Sequence, residues 1–252
     1  MANVRGVILA AGRGVRMGGE TPKTIIPIAD HRPLLHYILA GLSRAGLDDL
    51  MVITGHRPQD IESFVSEHWD ATPVTFLRNM RYASWGNFHS VRIALDQSPG
   101  MDVLTVNSDV VVPPDVYLRV AATQGDLVLA VQSRRQLNQE DMRVMLERDR
   151  VLGVSKSLKM RSSHGEFAGV SLIRPPAAAV YVDIATELEW QGTTSLYYED
   201  VFNAMLGRVD ARAAAVNEGE YAEVDSPEDV PAAVAVIERH SAAWEAEASQ
   251  PG

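Results

Sequence analysis

Apolar residues fall into two rhythms along the first half of the chain. Short, nearly continuous apolar runs at 4–11, 50–54, 74–77, 103–106 and 127–132 read as buried strands. Between them, 33–45, 58–69, 87–97 and 114–123 carry apolar residues at the spacing of an amphipathic helix. Pro33 and Pro58 suit the first turn of their helices, where a missing N–H costs nothing, and Gly46 suits a helix stop. Strands alternating with helices predict an α/β fold: a Rossmann-like, doubly wound, mainly parallel sheet with right-handed crossovers and helices on both faces.

The rhythm changes after residue 133. Segments 143–146, 150–157 and 166–173 read as shorter strands of a small antiparallel extension. Helices are expected at 176–190 and 195–206, and strands at 212–216 and 221–224. A last helix is expected from Ser226, an N-cap placed before Pro227, to about residue 243. The polar tail 245–252 is expected to fray. No repeat, low-complexity stretch or linker divides the chain, so one domain is expected over 1–252.

Composition narrows the function. The chain has 252 residues, 46% of them hydrophobic, which is enough for a sizeable core. No apolar run approaches the roughly 20 residues of a membrane span. Residues 1–5 lead into a strand with no cleavage site, so no signal peptide and a cytoplasmic location are expected. The absence of cysteine excludes disulfides, thiolate metal sites and thiol nucleophiles. A net charge of −10 argues against a nucleic-acid surface. Any anionic substrate must therefore meet a local positive pocket. Only three of the 23 basic residues are lysines: Lys23, Lys156 and Lys159.

One such pocket is visible in the sequence. After the first strand comes a loop with Gly12, Gly14, Gly18 and Gly19, carrying Arg13, Arg16 and Lys23. Glycines let backbone N–H groups approach a phosphate, and the cations balance its charge. Gly12-Arg13-Gly14-Val15-Arg16-Met17 lacks the third glycine of a dinucleotide fingerprint, and Pro22 with the strand-like 24–28 intervenes before any helix. No Gly-Lys-Ser/Thr makes a Walker loop. An ordinary surface turn is the competing reading, and Arg16, Pro22 and Lys23 weigh against it.

Leu9-Ala10-Ala11-Gly12-x-Gly14-x-Arg16-Met17, followed by Pro22-Lys23 and Pro33-Leu34-Leu35, resembles the nucleotidyltransferase signature of the sugar-nucleotide pyrophosphorylase superfamily. Those enzymes join a nucleoside triphosphate to a phosphate monoester and release pyrophosphate. Asn107-Ser108-Asp109 resembles the family's metal-binding aspartate at a strand end. Glu223-Val224-Asp225-Ser226-Pro227-Glu228-Asp229 resembles its C-terminal element, which supplies a second metal ligand. Arg78-Asn79-x-x-Tyr82-x-x-x-Gly86-Asn87-Phe88-x-Ser90 is similar to one branch, the phosphocholine (licC-type) and phosphonate cytidylyltransferases. Glu166-Phe167-Ala168-Gly169-Val170-Ser171 and Tyr197-Tyr198-Glu199-Asp200 resemble the same branch.

The resemblance implies a GT-A-like nucleotidyltransferase fold, with 1–132 binding nucleotide and 133–244 binding acceptor. It implies Mg²⁺ on Asp109 and Asp225, and Lys23 on the charge shared by α-phosphate and acceptor. Arg16 and the Gly12–Gly14 backbone would cradle the outer phosphates, with Arg13 nearby. The backbone near Ala10, Ala11 and Gly12, with Ser90, would read the pyrimidine edge, Leu9 would also contact the nucleotide, and Asn79, Tyr82 and Asn87 would line the same region. Each role has a rival: Asp109 also suits a turn before Pro113-Pro114, Asp225 a helix cap, and Asn87 and Ser90 a polar first helical turn. On the acceptor side stand Glu166, Gly169, Tyr198 and Asp200. An aromatic cage for a quaternary ammonium would draw on Tyr197, Tyr198, Trp190 and Trp85. Asp141-Met142-Arg143-Val144-Met145 departs from the family where it places a further aromatic. Arg143, Lys156, Lys159 and Arg161 instead form a basic cluster that would grip a phosphonate or second anion, unless they are solvated surface charges.

The expectation is a Mg²⁺-dependent nucleotidyltransferase, with CTP the favoured triphosphate and a small phosphate or phosphonate the acceptor. The rivals are a sugar-1-phosphate or cyclitol-phosphate nucleotidyltransferase using another triphosphate, and a nucleotide-binding regulatory domain without turnover. No nucleic acid or membrane partner is expected, and apolar residues within 133–175 suit a homodimer.

Overall fold

The computed structural model describes residues 3–14, 21–133 and 137–245. Its strands are β1 (Val4–Ala10), β2 (Pro27–Ala29), β3 (Arg32–Pro33), β4 (Leu50–Thr54), β5 (Val74–Arg78), β6 (Asp102–Asn107), β7 (Val110–Val111), β8 (Leu127–Ser133), β9 (Arg143–Glu147), β10 (Arg150–Val154), β11 (Gly165–Ile173), β12 (Ala211–Val216) and β13 (Ala222–Glu223). Its helices are α1 (Leu34–Arg44), α2 (Pro58–His68), α3 (Phe88–Asp96), α4 (Pro114–Ala122), α5 (Pro175–Trp190), α6 (Tyr198–Met205), α7 (Val230–Arg239) and α8 (Ser241–Glu245).

Nine strands form the main sheet in the order β5-β4-β1-β6-β11-β8-β12-β10-β9. β1 lies parallel between β4 and β6 and is buried from both sides. Its period of two divides the core: Ile8 and Ala10 pack with Leu34, Leu35 and Val116 on one face, whereas Val7 packs with Phe88, Val91 and Tyr181 on the other. Helices α1, α2, α4 and α7 cover the first face, and α3, α5 and α6 the second. The expected mainly parallel α/β architecture is therefore present.

The 166–173 segment differs from expectation. It is no part of a peripheral patch, because β11 runs antiparallel through the sheet between β6 and β8. A register shift between Phe167 and Ser171 lets its two ends serve different partners: residues 165–166 pair with β9, residues 170–173 with β6. Gly169 sits in that shift with φ +71°, and a Cβ there would stand 2.9 Å from Val110 Cγ1. Segment 24–28 is likewise no single strand: a 3₁₀ turn at Lys23–Ile25 precedes β2. The last helix is divided at His240 into α7 and α8. The frayed tail expected at 245–252 lies, beyond residue 245, outside the described residues.

A second, two-stranded ladder matters for the site. β7 and β13 pair antiparallel, Glu223 opposite Val110 and Ala222 opposite Val111. Val224 N–H then donates to Asp109 O at 2.8 Å. This ladder carries residues 223–225 to the carboxyl end of β6. Among the described residues no helix is long and apolar enough to cross a membrane.

Candidate active site

A cleft of about 390 Å³ opens at the carboxyl ends of β1 and β6, where open α/β sheets bind ligands. Residues 9–14 line it, with Asn107, Ser108 and Asp109 from the neighbouring strand end and with Lys23 and Asp225. Gly14 makes the turn with φ +57°, and a Cβ on it would stand 2.8 Å from Lys23 Cβ. The turn can therefore pass over Lys23 only with glycine at this position.

Lys23 Nζ donates to Asp109 Oδ2 at 2.9 Å and to Asp225 Oδ1 at 2.8 Å. Burial alone would lower its pKa. The charges and hydrogen bonds of Asp109 and Asp225 outweigh that and hold the ammonium above its ordinary value. Asp109 does sit in the turn between β6 and β7, as its rival reading had it, while Asp225 is not the helix cap. Asp229 Oδ2 accepts Ser226 N–H at 2.8 Å in a capping box, which leaves the Asp225 carboxylate turned to Lys23. Asp109 faces the same ammonium, and α4 begins without a side-chain cap.

Glu223 joins them, and sequence reasoning missed it as a site residue. One carboxylate oxygen each from Asp109, Glu223 and Asp225 lie within 4.8 Å of one another. Glu223 lies beside the cleft, and the loss of water around its carboxyl, followed by the charges of Asp109, Asp225 and Glu166, pushes it up to about 7. The quoted element 223–229 held the signal, because Glu223 and Asp225 are separated by one residue and so share a strand face. Asp109 Oδ1 is buried with no hydrogen-bond partner. An all-oxygen donor set of three carboxylates with an unmet buried oxygen fits a hard divalent cation.

On the nucleotide side, Arg16 lies outside the described residues. Arg13 is exposed at the rim, 6.0 Å from the Tyr82 ring centre, and Tyr82 stands behind the cleft wall. Ser90 lines the cleft, while Asn79 is buried behind it and donates to Ser90 Oγ at 2.9 Å. Asn87 does not cap α3; its Oδ1 accepts Tyr198 N–H at 2.9 Å, so its amide nitrogen is left for the cleft.

A second cavity of about 260 Å³ shares Asn87, Asn107, Asp109 and Asp225 with the first. Among the described residues its further walls carry Glu140, Asp141, Glu166, Glu199 and Glu223, with Lys156 the one cation. Lys156 Nζ is 3.6 Å from Glu140 Oε2 and 5.9 Å from the Tyr197 ring centre. Gly169 and Tyr197 also line it. Three expected acceptor residues are employed elsewhere. Arg143 is buried, and its guanidinium donates to the carbonyls of Leu158, Asn138 and Gln139, so it organises the 138–158 backbone instead of gripping an anion. Asp200 accepts Tyr197 N–H at 2.9 Å as the cap of α6. Tyr198 is fully buried and donates its hydroxyl to Asn107 Oδ1 at 2.8 Å, so it orients the cleft wall. Trp190 is 87% exposed and Trp85 packs on Phe88, so neither joins a cage.

Glu199 was not singled out from sequence. Burial, with Asp200 and Asp109 adding repulsion, pushes its carboxyl up to about 8 against the opposing bonds from the backbone and Tyr198. A folded value above the unfolded one means that this stabilisation is complete below about 4.5 and is lost as pH rises through about 8. In metal-free buffer, Glu199→Gln is expected to melt near the wild type at pH 5 but about 5–10 °C above it at pH 9. Calorimetry at the two pH values checks this; a pH-independent difference would place the carboxyl in a water-like environment.

A crossover sheet with a glycine turn, a lysine and three carboxylates at its carboxyl edge places the chain among nucleotide-handling α/β proteins. The family model of the MobA-like NTP transferase domain matches residues 6–194, and the chain belongs to that family. A protein named as a choline-phosphate cytidylyltransferase, from Streptococcus pneumoniae, is among those the chain is similar to, at 28% identity over 97 residues, covering 37% of this chain and 40% of that protein. The chain is 33% identical over 125 residues to CMP-5'-(3-aminopropyl)phosphonate synthase of Streptomyces rubellomurinus, a match covering 47% of this chain and 19% of that protein. The chain thus spans about a fifth of that curated relative. Two solved structures share the fold. The inositol-1-phosphate CTP transferase of T. maritima superposes with TM-score 0.77 at 18% identity, covering 93% of this chain and 96% of that one. The CTP:phosphocholine cytidylyltransferase of Streptococcus pneumoniae superposes with TM-score 0.75 at 19% identity, covering 93% and 99%.

Proposed function

We propose that the chain is a Mg²⁺-dependent cytidylyltransferase that transfers CMP from CTP to a small zwitterionic acceptor, a phosphonate or phosphate that also carries an ammonium group. The observation that carries this reading is the acid-lined second cavity opening onto the Lys23 cluster. A purely anionic acceptor would be repelled by Glu140 and Glu166, whereas the Glu199 carboxyl, raised to about 8, stays largely protonated at neutral pH and offers a hydrogen bond. An ammonium would be held by the Glu140 and Glu166 carboxylates while its phosphonate end points at Lys23. The relative from S. rubellomurinus, whose name carries an amine and a phosphonate, supports the same class.

In this mechanism an ionised acceptor oxygen forms a bond to the α-phosphorus as the bond to the bridging pyrophosphate oxygen breaks. No proton need move, so positioning and charge neutralisation dominate. Asp109, Glu223 and Asp225 would hold Mg²⁺, which when bound offsets the charge that repels acceptor from α-phosphate. Backbone N–H groups of 12–14 face the outer phosphates, and Lys23 neutralises charge between the two reactants. The expected place of action is the cytoplasm, where nucleoside triphosphates are found.

Carboxylates also accept hydroxyl hydrogen bonds, so a cyclitol or sugar phosphate is the second reading, supported by the T. maritima neighbour's name. Pyrophosphate release is to be measured for CTP, UTP, GTP and ATP across aminoalkylphosphonates, phosphocholine, inositol phosphate and glucose 1-phosphate. CTP with an aminoalkylphosphonate or phosphocholine is expected to be fastest. Release with UTP or GTP and a sugar phosphate, without release from CTP, overturns the proposal. No release from any pair favours a regulatory nucleotide-binding role.

A further inference from the structure

The acid-lined cavity already contains an ammonium, the chain's own. Lys156 Nζ stands 5.9 Å from the Tyr197 ring centre and 3.6 Å from Glu140 Oε2, and all three residues line the cavity. A cation over an aromatic face is also the arrangement that holds a quaternary ammonium ligand. Among the described residues three rings line this cavity: Phe167 and Tyr221 are buried, whereas Tyr197 is 52% exposed. The open face that a trimethylammonium needs is thus the one that Lys156 covers.

The backbone beneath sets this contact in place. Arg143 is buried, and its Nε donates to Leu158 O at 2.8 Å. Its Nη1 donates to Asn138 O at 2.6 Å and Gln139 O at 3.0 Å. Ser155 N–H donates to Arg143 O at 3.0 Å. One buried residue therefore ties the turn that carries Lys156 to the loop that carries Glu140. The buried acids of the cavity suit a different cation. Glu199 Oε2 is buried with no hydrogen-bond partner, and Glu166 lines the same space. A buried oxygen without a partner favours a ligand that brings an N–H donor. A primary ammonium brings three such donors and a trimethylammonium none.

We propose that Lys156 is a specificity-determining residue: by covering the Tyr197 face it denies that face to a quaternary ammonium and restricts the acceptor to primary amines, whose N–H groups bond to the buried acids. This rests on the reading of the acceptor as an ammonium-bearing phosphonate or phosphate, but it concerns which ammonium is taken and not the transfer.

Phosphoethanolamine and phosphocholine differ only in the three methyl groups on nitrogen, so the ratio of their affinities isolates the ammonium. Dissociation constants of both are to be measured calorimetrically, with Mg²⁺ and a CTP analogue bridged by methylene between the α- and β-phosphates. The wild type is expected to favour phosphoethanolamine about tenfold or more, the range for lost charge-assisted hydrogen bonds. Displacing Lys156 costs phosphocholine an exposed cation–π contact and an exposed ion pair, about three- to thirtyfold together. Lys156→Met is therefore expected to lower the ratio at least threefold. Loss of the lysine charge strengthens both acceptors alike, so it does not move the ratio. Lys156→Arg keeps a cation on the ring and is expected to keep the wild-type ratio. Adding Tyr197→Leu to Lys156→Met removes the face and is expected to undo the gain for phosphocholine.

A lysine that grips the acceptor's phosphate would, when replaced by Met, weaken both acceptors alike and leave the ratio intact, which overturns the proposal. Equal affinity of the wild type for the two acceptors, or binding of neither, overturns it too. Pyrophosphate release from CTP is then measured separately. The expected ratios without release from any acceptor would leave the role of Lys156 standing and reject the proposed reaction. Release with a ratio insensitive to Lys156 would do the reverse.

Discussion

Lys23→Ala is expected to lower kcat by about 10²–10³-fold, the range seen when one preorganised charge-stabilising donor is removed, while KM for the triphosphate changes only a few-fold. The physical reason is the position of the ammonium, 2.9 Å from Asp109 and 2.8 Å from Asp225, at the junction of the two cavities. There it counters the charge that builds where acceptor and α-phosphate meet, and contributes less to holding the outer phosphates. The same substitution leaves three carboxylates within 4.8 Å of one another with no cation between them. The variant should therefore melt below the wild type in chelator and recover most of the difference when millimolar Mg²⁺ is added. Steady-state kinetics paired with thermal melts checks both claims. A large rise in KM with kcat unchanged would contradict the role assigned to Lys23.

Asp109→Asn is expected to reduce turnover by about a thousandfold or more, since an uncharged amide replaces the carboxylate whose buried Oδ1 lacks a partner. It should also remove the stabilisation that Mg²⁺ confers by binding the folded state. A ligand present at a hundred times its dissociation constant adds about 2.7 kcal/mol. The wild type is thus expected to melt several degrees higher in excess Mg²⁺, and Asp109→Asn is not. This melting shift is read without substrates, so it tests the metal site apart from the reaction. An equal Mg²⁺ shift in both proteins would remove Asp109 from the ligand set.

Much of the glycine-turn part of the cleft was legible because its residues are contiguous. Residues 7–14 read directly as a strand followed by a glycine turn, and a turn's geometry is imposed by neighbours in sequence. Asp109 was legible for the same reason, as the polar end of an apolar strand. The acceptor side was not. Arg143 and Asp200 look like binding residues in a one-dimensional reading, since a charged side chain carries no mark of whether it will find protein carbonyls or ligand. Folding answered by burying Arg143 against three carbonyls and giving Asp200 to the Tyr197 N–H.

The sequence by itself determined the alternation of buried strands and amphipathic helices, and hence the sheet edge at which the glycine turn, Lys23 and Asp109 must emerge. Local periodicity and turn chemistry are properties of short segments, so they can be read without knowing the fold. Only the tertiary structure decided that β11 would run reversed through the sheet, with Gly169 taking up the register shift. It alone decided that the β7–β13 ladder would bring Glu223 and Asp225 to Asp109 across more than a hundred residues. It also decided the gathering of charge in the second cavity, where, among the described residues, acids from separate elements face one lysine. These are consequences of which distant segments share a hydrogen-bond register, and register is set by the packing of the whole sheet.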